Sequence, residues 1–303
     1  MVQSSVSVIV VSYNTKEKLR KCLEAIEPEH EVIVVDNASH DGSPQMVAEE
    51  FPWVRLIVNP GNPGLGTANN QGAAVAGRPL LLYLNSDAYA EAGAIDRLAG
   101  VFEDPSIAAA GGRLLNPDLT LQLSSANRLT LWAVFCEQFY LEKLGMVFPI
   151  LNPYWNTPKL IEQPVPAETW QVMGAALMVR AGLESFDERY FLYCEDTDLC
   201  HRLHLHGRIV FVKNASFVHD LGSSSSGNAV KGVPLYNRGK ELYFAIHRGQ
   251  AASNVCLILD RCGAFLRWTY WSLRSLSGSK RARELSNGFW GVLTGPAQDP
   301  IRS

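Results

Sequence analysis

Short apolar runs alternate with amphipathic stretches from the start of the chain, and turn-forming residues close each run. Residues 6–11 (VSVIVV) read as a strand, and Thr15 opens a helix with Leu19, Cys22, Leu23 and Ile26 on one face. A second strand covers 32–35 (VIVV), is closed by Asp36, Asn37, Ser39, Asp41 and Gly42, and leads into a helix through Phe51. A third strand covers 54–58. After the loop NPGNPGLG, a helix covers 67–76. The fourth strand, 80–84, is nearly all apolar, as a strand covered on both faces should be. This alternation predicts an α/β fold, a mostly parallel sheet flanked by helices.

In such sheets ligands bind beyond the carboxyl ends of the strands. Three polar sets fall there: Ser12, Tyr13 and Asn14; Asp36 and Asn37; Asn85, Ser86 and Asp87. Their convergence on one edge predicts a binding cleft. Gly64, Gly66 and Gly72 do not make a dinucleotide fingerprint, because GxGxxG should follow the first strand directly and this segment reads Gly64-Leu65-Gly66-Thr67-Ala68-Asn69. With no Walker A loop either, hydride transfer has no support in the sequence.

Composition narrows the class. At 303 residues, 47% hydrophobic and 19% charged, the chain is neither disordered, collagenous nor a coiled coil, and one or two domains are expected. Its longest apolar runs, 79–84 and 255–259, fall far short of the roughly 18–20 residues that span a bilayer. The amino terminus has no basic n-region and reads as a first strand, so a cytoplasmic address is expected. Six scattered cysteines lack zinc or CxxC spacing and read as reduced thiols, mostly core filler. The net charge of −3 hides an asymmetry: residues 1–249 carry 20 Lys and Arg against 27 Asp and Glu, whereas residues 250–303 carry 7 against 3. The acidic body, without a basic stripe, argues against nucleic acid as a partner.

Two constellations and one histidine carry candidate chemistry. Asn85-Ser86-Asp87 sits between an apolar strand and a helix, where Asp87 is either a helix cap or an oxygen ligand for a hard divalent cation. In the segment 191–203 (FLYCEDTDLCHRL), helical spacing puts Leu199, Cys200 and Leu203 on one stripe with Asp196 in its middle, while Asp198 pairs with Arg202 four residues on. Glu195 lies at the stripe's edge, and Gly207 stops the helix. Asp196 is thus either a buried cap or an acid aimed into a cleft, where desolvation raises its pKa toward that of a general base. His219 follows strand segments 208–212 and 216–218 and precedes a Gly/Ser run (221–226). It is either a structural group or a residue that closes over a ligand or completes a metal shell.

Taken in order, VSVIVVSYN, VIVVDNAS, GLGTANNQG, LLYLNSDA, GAALMVR (174–180) and FDERYFLYCEDTDLCHRLHLHG resemble the inverting nucleotide-sugar glycosyltransferases of family 2, and within them the bacterial rhamnosyltransferase-like branch. The resemblance covers residues 6 to about 249. It implies the type-A glycosyltransferase fold, a Rossmann-like nucleotide-diphospho-sugar transferase architecture. It implies that Asp36 contacts the nucleobase, that Tyr13 and Asn14 line the nucleoside pocket, and that Asn69 and its glycine loop lie near the nucleotide. Ser12, Asn37, Asn85 and Ser86 join the donor side. Asp87 holds Mg or Mn against the diphosphate with His219 as a further ligand, and Asp196 of the Glu195-Asp196 pair is the base that deprotonates the acceptor hydroxyl. One departure is Asn85, which stands where the family often has the first acid of Asp-x-Asp and which removes a charge; the same exchange occurs in the rhamnosyltransferase-like branch.

The resemblance further implies a sugar, rhamnose from thymidine diphosphate rhamnose in that branch, passed to a glycan or lipid-linked acceptor in cell-surface polysaccharide synthesis. The expected organisation is a catalytic domain over 1–249, divided into a donor half (1–112) and an acceptor half (113–249), with a basic, aromatic-rich helical region over 250–303. The aromatic-rich stretch 113–170 places Trp132, Trp155 and Trp170, with Gly174, on the acceptor side. Residues 250–303 mix apolar and aromatic side chains with Arg and Lys, as an interfacial helix on an anionic membrane leaflet does; packing on the catalytic domain or on a second subunit is the alternative. Two other functions are weighed: a sugar-phosphate nucleotidyltransferase, which should carry a basic glycine-rich loop where Ser12-Tyr13-Asn14-Thr15 stands, and a catalytically impaired nucleotide-sugar-binding protein.

Overall fold

The computed structural model describes residues 6–145, 147–220, 230 and 232–295. In chain order the first elements are β1 (Val6–Ser12), α1 (Lys16–Glu24), β2 (Glu31–Asp36), α2 (Ser43–Glu50), β3 (Arg55–Val58), α3 (Leu65–Val75), β4 (Leu80–Asn85), β5 (Ala88–Ala90) and α4 (Ala94–Gly100). The middle of the chain forms β6 (Ile107–Leu115), β7 (Ser125–Ala126), α5 (Leu131–Gln138), α6 (Thr157–Leu160), β8 (Ala167–Thr169), β9 (Gln171–Val172) and β10 (Ala176–Arg180). Then follow α7 (Glu195–Leu203), β11 (Arg208–His219), α8 (Gly232–Arg248), α9 (Gln250–Ser275) and α10 (Lys280–Thr294). The chain forms two compact units. The first takes the described chain up to Arg128, Trp155–Phe191 and Glu195 through β11; the second takes Leu129–Tyr154, Leu192–Cys194 and α8 onward. The break expected at residue 249 falls inside the second unit, at Gly249 between α8 and α9.

The first unit is built on a nine-stranded sheet ordered β3-β2-β1-β4-β10-β6-β11-β5, with β8 also paired to β11. The strands read from the amino-terminal pattern are parallel to one another: β2 lies between β1 and β3, and β1 lies between β2 and β4. β10 then enters antiparallel to both β4 and β6. Register aligns the strand ends, with Ser12 opposite Asp36 and Val11 opposite Asn85, so the polar sets that close β1, β2 and β4 share one edge.

β1, β2 and β4 are mainly apolar because both of their faces are covered. On one face Val8, Val10, Val34, Leu82 and Leu84 pack with Leu19, Cys22 and Leu23 of α1, Met46 and Val47 of α2, and Ile95 and Leu98 of α4. On the other face Ile9, Ile33, Val35, Leu81 and Tyr83 pack with Ala68 of α3 and with Leu199, Cys200 and Leu203 of α7. The two stretches expected at 208–212 and 216–218 are one strand, β11, with a register shift between Val212 and Ser216. Its polar interruption bulges out of the ladder, and Lys213 Nζ donates to the carbonyls of Ile161 and Gln163.

In the second unit, Val134 of α5, Tyr243 and Phe244 of α8 and Cys256 of α9 form a small core with Leu129. A buried polar cluster joins the same helices: Lys240 Nζ donates to Asp260 Oδ1 at 2.7 Å, Gln138 Nε2 donates to the same oxygen at 2.8 Å, and the ammonium sits 4.6 Å from the Tyr236 ring centre. α5 lay outside the sequence expectations, although Thr130 caps it by accepting from the Ala133 N–H at 3.1 Å. All six cysteines are free thiols and all but Cys262 are buried.

Gly72 marks the closest approach of α3 to β1, since a Cβ there would lie 2.5 Å from Ile9 Cγ2. Gly72→Ala is expected to destabilise the protein by about 1–3 kcal/mol through overpacking. A thermal unfolding midpoint equal to that of the wild type would remove this close approach as a determinant of the fold.

Candidate active site

The edge shared by β1, β2 and β4 is organised by short polar side chains. Ser12 Oγ lies 3.2 Å from Thr15 Oγ1, which donates to Ser86 Oγ at 3.0 Å, so buried hydroxyls link the end of β1 to the turn after β4. Asn14 adopts a left-handed conformation (φ 54°) and holds the loop after β2: its N–H donates to Ser39 Oγ and its Oδ1 accepts from the His40 N–H, each at 2.8 Å. Tyr13 is exposed beside it.

Asp36 is fully buried at the end of β2. Its Oδ1 accepts from the Ser39 N–H at 2.8 Å, whereas its Oδ2 has no hydrogen-bond partner among the described residues. A buried carboxylate oxygen left open in this way is costly to maintain and is suited to receive a donor from a ligand. Asn37 acts on the protein itself. Its side chain accepts from Asn59 at 2.9 Å and donates toward Asn62 Oδ1 and the Gly64 carbonyl, pinning the loop ahead of α3. Gly64 needs no side chain there: its φ is 97°, and a Cβ would lie 2.8 Å from the Phe191 carbonyl. Asn69 is buried on α3.

Asn85, Asp87 and His219 meet where β4 ends and β5 pairs with the end of β11. Ala88 stands opposite His219, and the Asp220 N–H donates to the Asp87 carbonyl at 2.9 Å. His219 Nε2 lies 3.3 Å from Asp87 Oδ1 and 3.3 Å from Asn85 Nδ2. The other ring nitrogen, Nδ1, is 2.7 Å from Gln122 Oε1. The orientation of the Gln122 amide follows from its own partners, because its Nε2 is 3.1 Å from the His219 carbonyl and 2.8 Å from Asn116 Oδ1, both acceptors. Gln122 Oε1 therefore faces the ring and accepts from Nδ1–H, which leaves Nε2 as the nitrogen turned toward Asp87 and Asn85. Two neighbours register the acidity of the spot: burial, then Asp220 and Asp87, push the Tyr89 phenol up to about 12, and burial, then Asp87, push the Cys22 thiol up.

Asp196 lies in the first turn of α7, among Leu199, Cys200 and Leu203 as its helical spacing requires. Its Oδ2 accepts from the Gly174 N–H at 2.8 Å and its Oδ1 from the Thr197 N–H at 2.7 Å. Burial pushes the Asp196 carboxyl up, against the opposing effect of these donors. Glu195 is buried next to it. Asp198 pairs with Arg202 at 2.8 Å, and Arg202 also engages Glu184. The two residues before α7, Tyr193 and Cys194, both have positive φ (72° and 66°), a costly conformation for side chains of that size.

β10 connects the two carboxylates. The Asn85 N–H donates to the Ala175 carbonyl at 3.1 Å, and the neighbouring Gly174 N–H donates to Asp196. Asp87, two residues beyond Asn85, and Asp196 thus stand at the same edge of the sheet. Of the four residues expected on the acceptor side, Gly174 is the one tied to this site. Trp170 stacks on His204 with ring centres 4.0 Å apart, under the Arg128 guanidinium. Trp155 forms a bridge to Ala126. Trp132 belongs to the second unit, where its indole N–H donates to the Ile150 carbonyl at 2.8 Å. The Gly/Ser run at 221–226 lies outside the described residues. Gln122 had no local signal in the sequence, since it sits in an irregular segment and acquires its role by contact with a residue 97 positions away.

Residues 7–155 match the family model of Glycosyl transferase family 2. The N-acetylglucosaminyl-diphospho-decaprenol L-rhamnosyltransferase of Mycobacterium tuberculosis is 30% identical over 267 residues, which is 78% of this chain and 83% of that protein. The O-antigen biosynthesis protein RfbC of Myxococcus xanthus is 26% identical over 74% of this chain and 18% of its own length. Among solved structures, the mannosyltransferase PcManGT of Pyrobaculum calidifontis, in complex with GDP-Man and Mn2+, superposes with a TM-score of 0.56 at 15% identity, covering 94% of this chain and 84% of that one. S. aureus TarS 1–349, in complex with UDP-GlcNAc, gives a TM-score of 0.51 at 18% identity over 96% of this chain and 80% of that one. The chain belongs to glycosyl transferase family 2, with a rhamnosyltransferase-like sequence and the type-A glycosyltransferase fold. Membership of this family sets aside the nucleotidyltransferase reading.

The burial of Asp196 sets an expectation for its titration. Its carboxyl carbon, followed by NMR with pH, should show a midpoint above the ordinary 3.8 of an aspartate. A midpoint at or below that value would mean that the two backbone donors outweigh desolvation.

Proposed function

We propose that this protein is a metal-assisted, inverting glycosyltransferase that moves a sugar from a nucleotide-diphosphate donor to a lipid-linked glycan acceptor beside a membrane. Rhamnose carried by thymidine diphosphate is the first donor to test, because the relative at 30% identity is named as an L-rhamnosyltransferase acting on a decaprenol diphosphate. The observation that carries this reading is the linkage through β10, which puts the Asp87–His219 pair and the desolvated Asp196 at one edge.

The residues present suit a divalent cation. One carboxylate oxygen and one imidazole nitrogen lie 3.3 Å apart, close to the ~3.0 Å that adjacent ligands around a small octahedral ion need, and Nε2 would bind such an ion through its lone pair once free of its proton. Among the described residues no group of three or more His, Cys, Asp or Glu gathers to hold a metal, so Asp87 and His219 would share the ion with donor phosphate oxygens and water. Bound there, Mg or Mn would offset the charge that develops on the departing nucleoside diphosphate. The solved PcManGT complex contains Mn2+.

The remaining steps fall to side chains of this chain. The open Asp36 oxygen accepts an N–H from the base, with Tyr13 and Asn14 beside the nucleoside and Asn69 near the nucleotide. Asp196 takes the proton of the acceptor hydroxyl as its oxygen attacks the anomeric carbon and the bond to the diphosphate breaks. One displacement inverts the configuration, and no enzyme nucleophile is needed. Residues 250–303 supply the peripheral membrane contact at the cytoplasmic face, in the synthesis of a cell-surface polysaccharide.

Transfer should fall by about 10²–10⁴-fold in Asp196→Asn while nucleotide-sugar binding, read by thermal shift, persists. Full transfer by this variant would remove Asp196 from its role. Because the base acts ionised and its folded-state pKa is raised, kcat/KM should decline as pH falls through that raised value, and the acid limb should vanish in the variant. Gln122→Leu removes the acceptor that holds the proton on His219 Nδ1. Mn2+ affinity measured by calorimetry should weaken by about 10–100-fold; unchanged affinity would show that His219 does not ligate through Nε2.

A further inference from the structure

α9 is a 26-residue helix, about 39 Å long, and one of its faces is exposed among the described residues. Val255, Ile258, Phe265, Leu266, Tyr270 and Leu273 are all exposed, Ile258 at 59% and Leu273 at 64%. At about 100° per residue they fall within a sector of roughly 140°, together with Cys262 and Thr269, and no charged residue interrupts it. The opposite side of the helix is committed, with Cys256, Asp260 and Ala264 buried and Trp268 against Trp290 of α10 at 5.0 Å.

A second apolar element borders this face. In residues 140–150, the side chains of Tyr140, Leu144, Val147, Phe148 and Ile150 are exposed, Ile150 at 71%. The segment is tied to the flank of α9 by Arg267, whose guanidinium sits 4.7 Å from the Tyr140 ring centre and donates to Gln138 Oε1 at 2.9 Å. This segment lies within the stretch 113–170 expected on the acceptor side.

We infer that the outer face of α9 and residues 140–150 together form the surface by which this protein lies on an anionic lipid bilayer. The inference rests on the reading of a lipid-linked acceptor and specifies which face meets the lipid. Two observations decide the occupant. The apolar face is bordered by cations: Arg267 and Arg274 on α9 and Lys143 beside Tyr140, followed by Lys280, Arg281 and Arg283 at the start of α10. The only carboxylate on α9, Asp260, is buried against Lys240, and Glu142 in the second element is half-buried, with burial and Glu137 pushing its carboxyl up. A second copy of the chain would set the same cations against one another, whereas anionic headgroups neutralise them. Among the described residues no helix is long and apolar enough to cross a membrane, so the helix lies along the interface.

The test is co-flotation of the full chain with phosphatidylcholine vesicles, with and without phosphatidylglycerol. The wild type should float with the anionic vesicles and far less with the neutral ones. The double variant Ile258→Asp/Leu273→Asp should lose at least about tenfold in binding at unchanged helical content, since both positions are exposed. Arg274→Gln, which leaves the apolar face intact, should lose about fivefold on anionic vesicles alone. Equal flotation of the wild type and the double variant overturns the proposal. So does a wild type that ignores vesicles and sediments as a dimer, which the double variant converts to monomer. Transfer to a short water-soluble acceptor separates this inference from the catalytic reading. A wild type that transfers sugar but never floats overturns the surface alone; one that floats but transfers nothing supports the surface and overturns the catalytic reading.

Discussion

The antiparallel entry of β10 between β4 and β6 is the constraint on which the site depends. A chain that continued in parallel past β4 would add another βαβ unit and place its next polar loop at the same edge by repetition. Here the direction reverses, so the start of β10 meets the end of β4. The backbone there offers the Ala175 carbonyl to Asn85 and the Gly174 N–H to Asp196. Asp87, just beyond β4, and Asp196 of α7, held through Gly174 ahead of β10, lie 109 positions apart and are thereby anchored to neighbouring strands of one sheet, which holds geometry better than loops alone. Gly174 is fitted to the contact, since a Cβ would stand 3.2 Å from that of Asp196.

The three acids of this edge are treated differently by their surroundings, and the differences suit the different tasks proposed for them. Asp36 is buried with one oxygen satisfied and one open. Asp87 faces a histidine whose Nδ1 is engaged by Gln122, and its charge is felt by Tyr89 and Cys22. Asp196 is desolvated and held by two backbone donors. Environments that separate acids in this way let one fold give chemically similar side chains different roles, as the proposal for these three requires. Of the described non-glycine residues with positive φ, Asn14 and Ala38 belong to the loops after β1 and β2, where the polar edge lies; Leu119, Tyr140, Tyr193 and Cys194 fall elsewhere in the chain.

The second unit follows another logic. Its helices are joined by a small apolar core and by Lys240, Asp260 and Gln138, a cluster worth keeping only if every member is satisfied. Gly263 lets α5 approach α9 closely, because a Cβ there would fall 2.0 Å from Gln138 Oε1. With one side of α9 held in this way, its long apolar face is left outward. An exposed apolar area of that extent on a folded protein marks an interaction surface.

The amino-terminal half was legible because period and punctuation agreed. Wholly apolar runs such as LLLYL, each followed by Asn, Ser or Asp, read as doubly covered strands with polar ends, so the parallel strands, their flanking helices and the shared polar edge follow from the sequence alone. The helical spacing around Asp196 was equally readable, down to its pairing of Asp198 with Arg202. The irregular stretch after residue 113 was not, for there short strands and turns take their form from partners far away in the chain. Thus a local pattern could single out Asp87, Asp196 and His219 as candidates but not Gln122, and could give α9 its mixed character but not its outward face. Periodicity records which side chains must leave water; which atoms receive them depends on strand direction and helix contacts that no single segment contains.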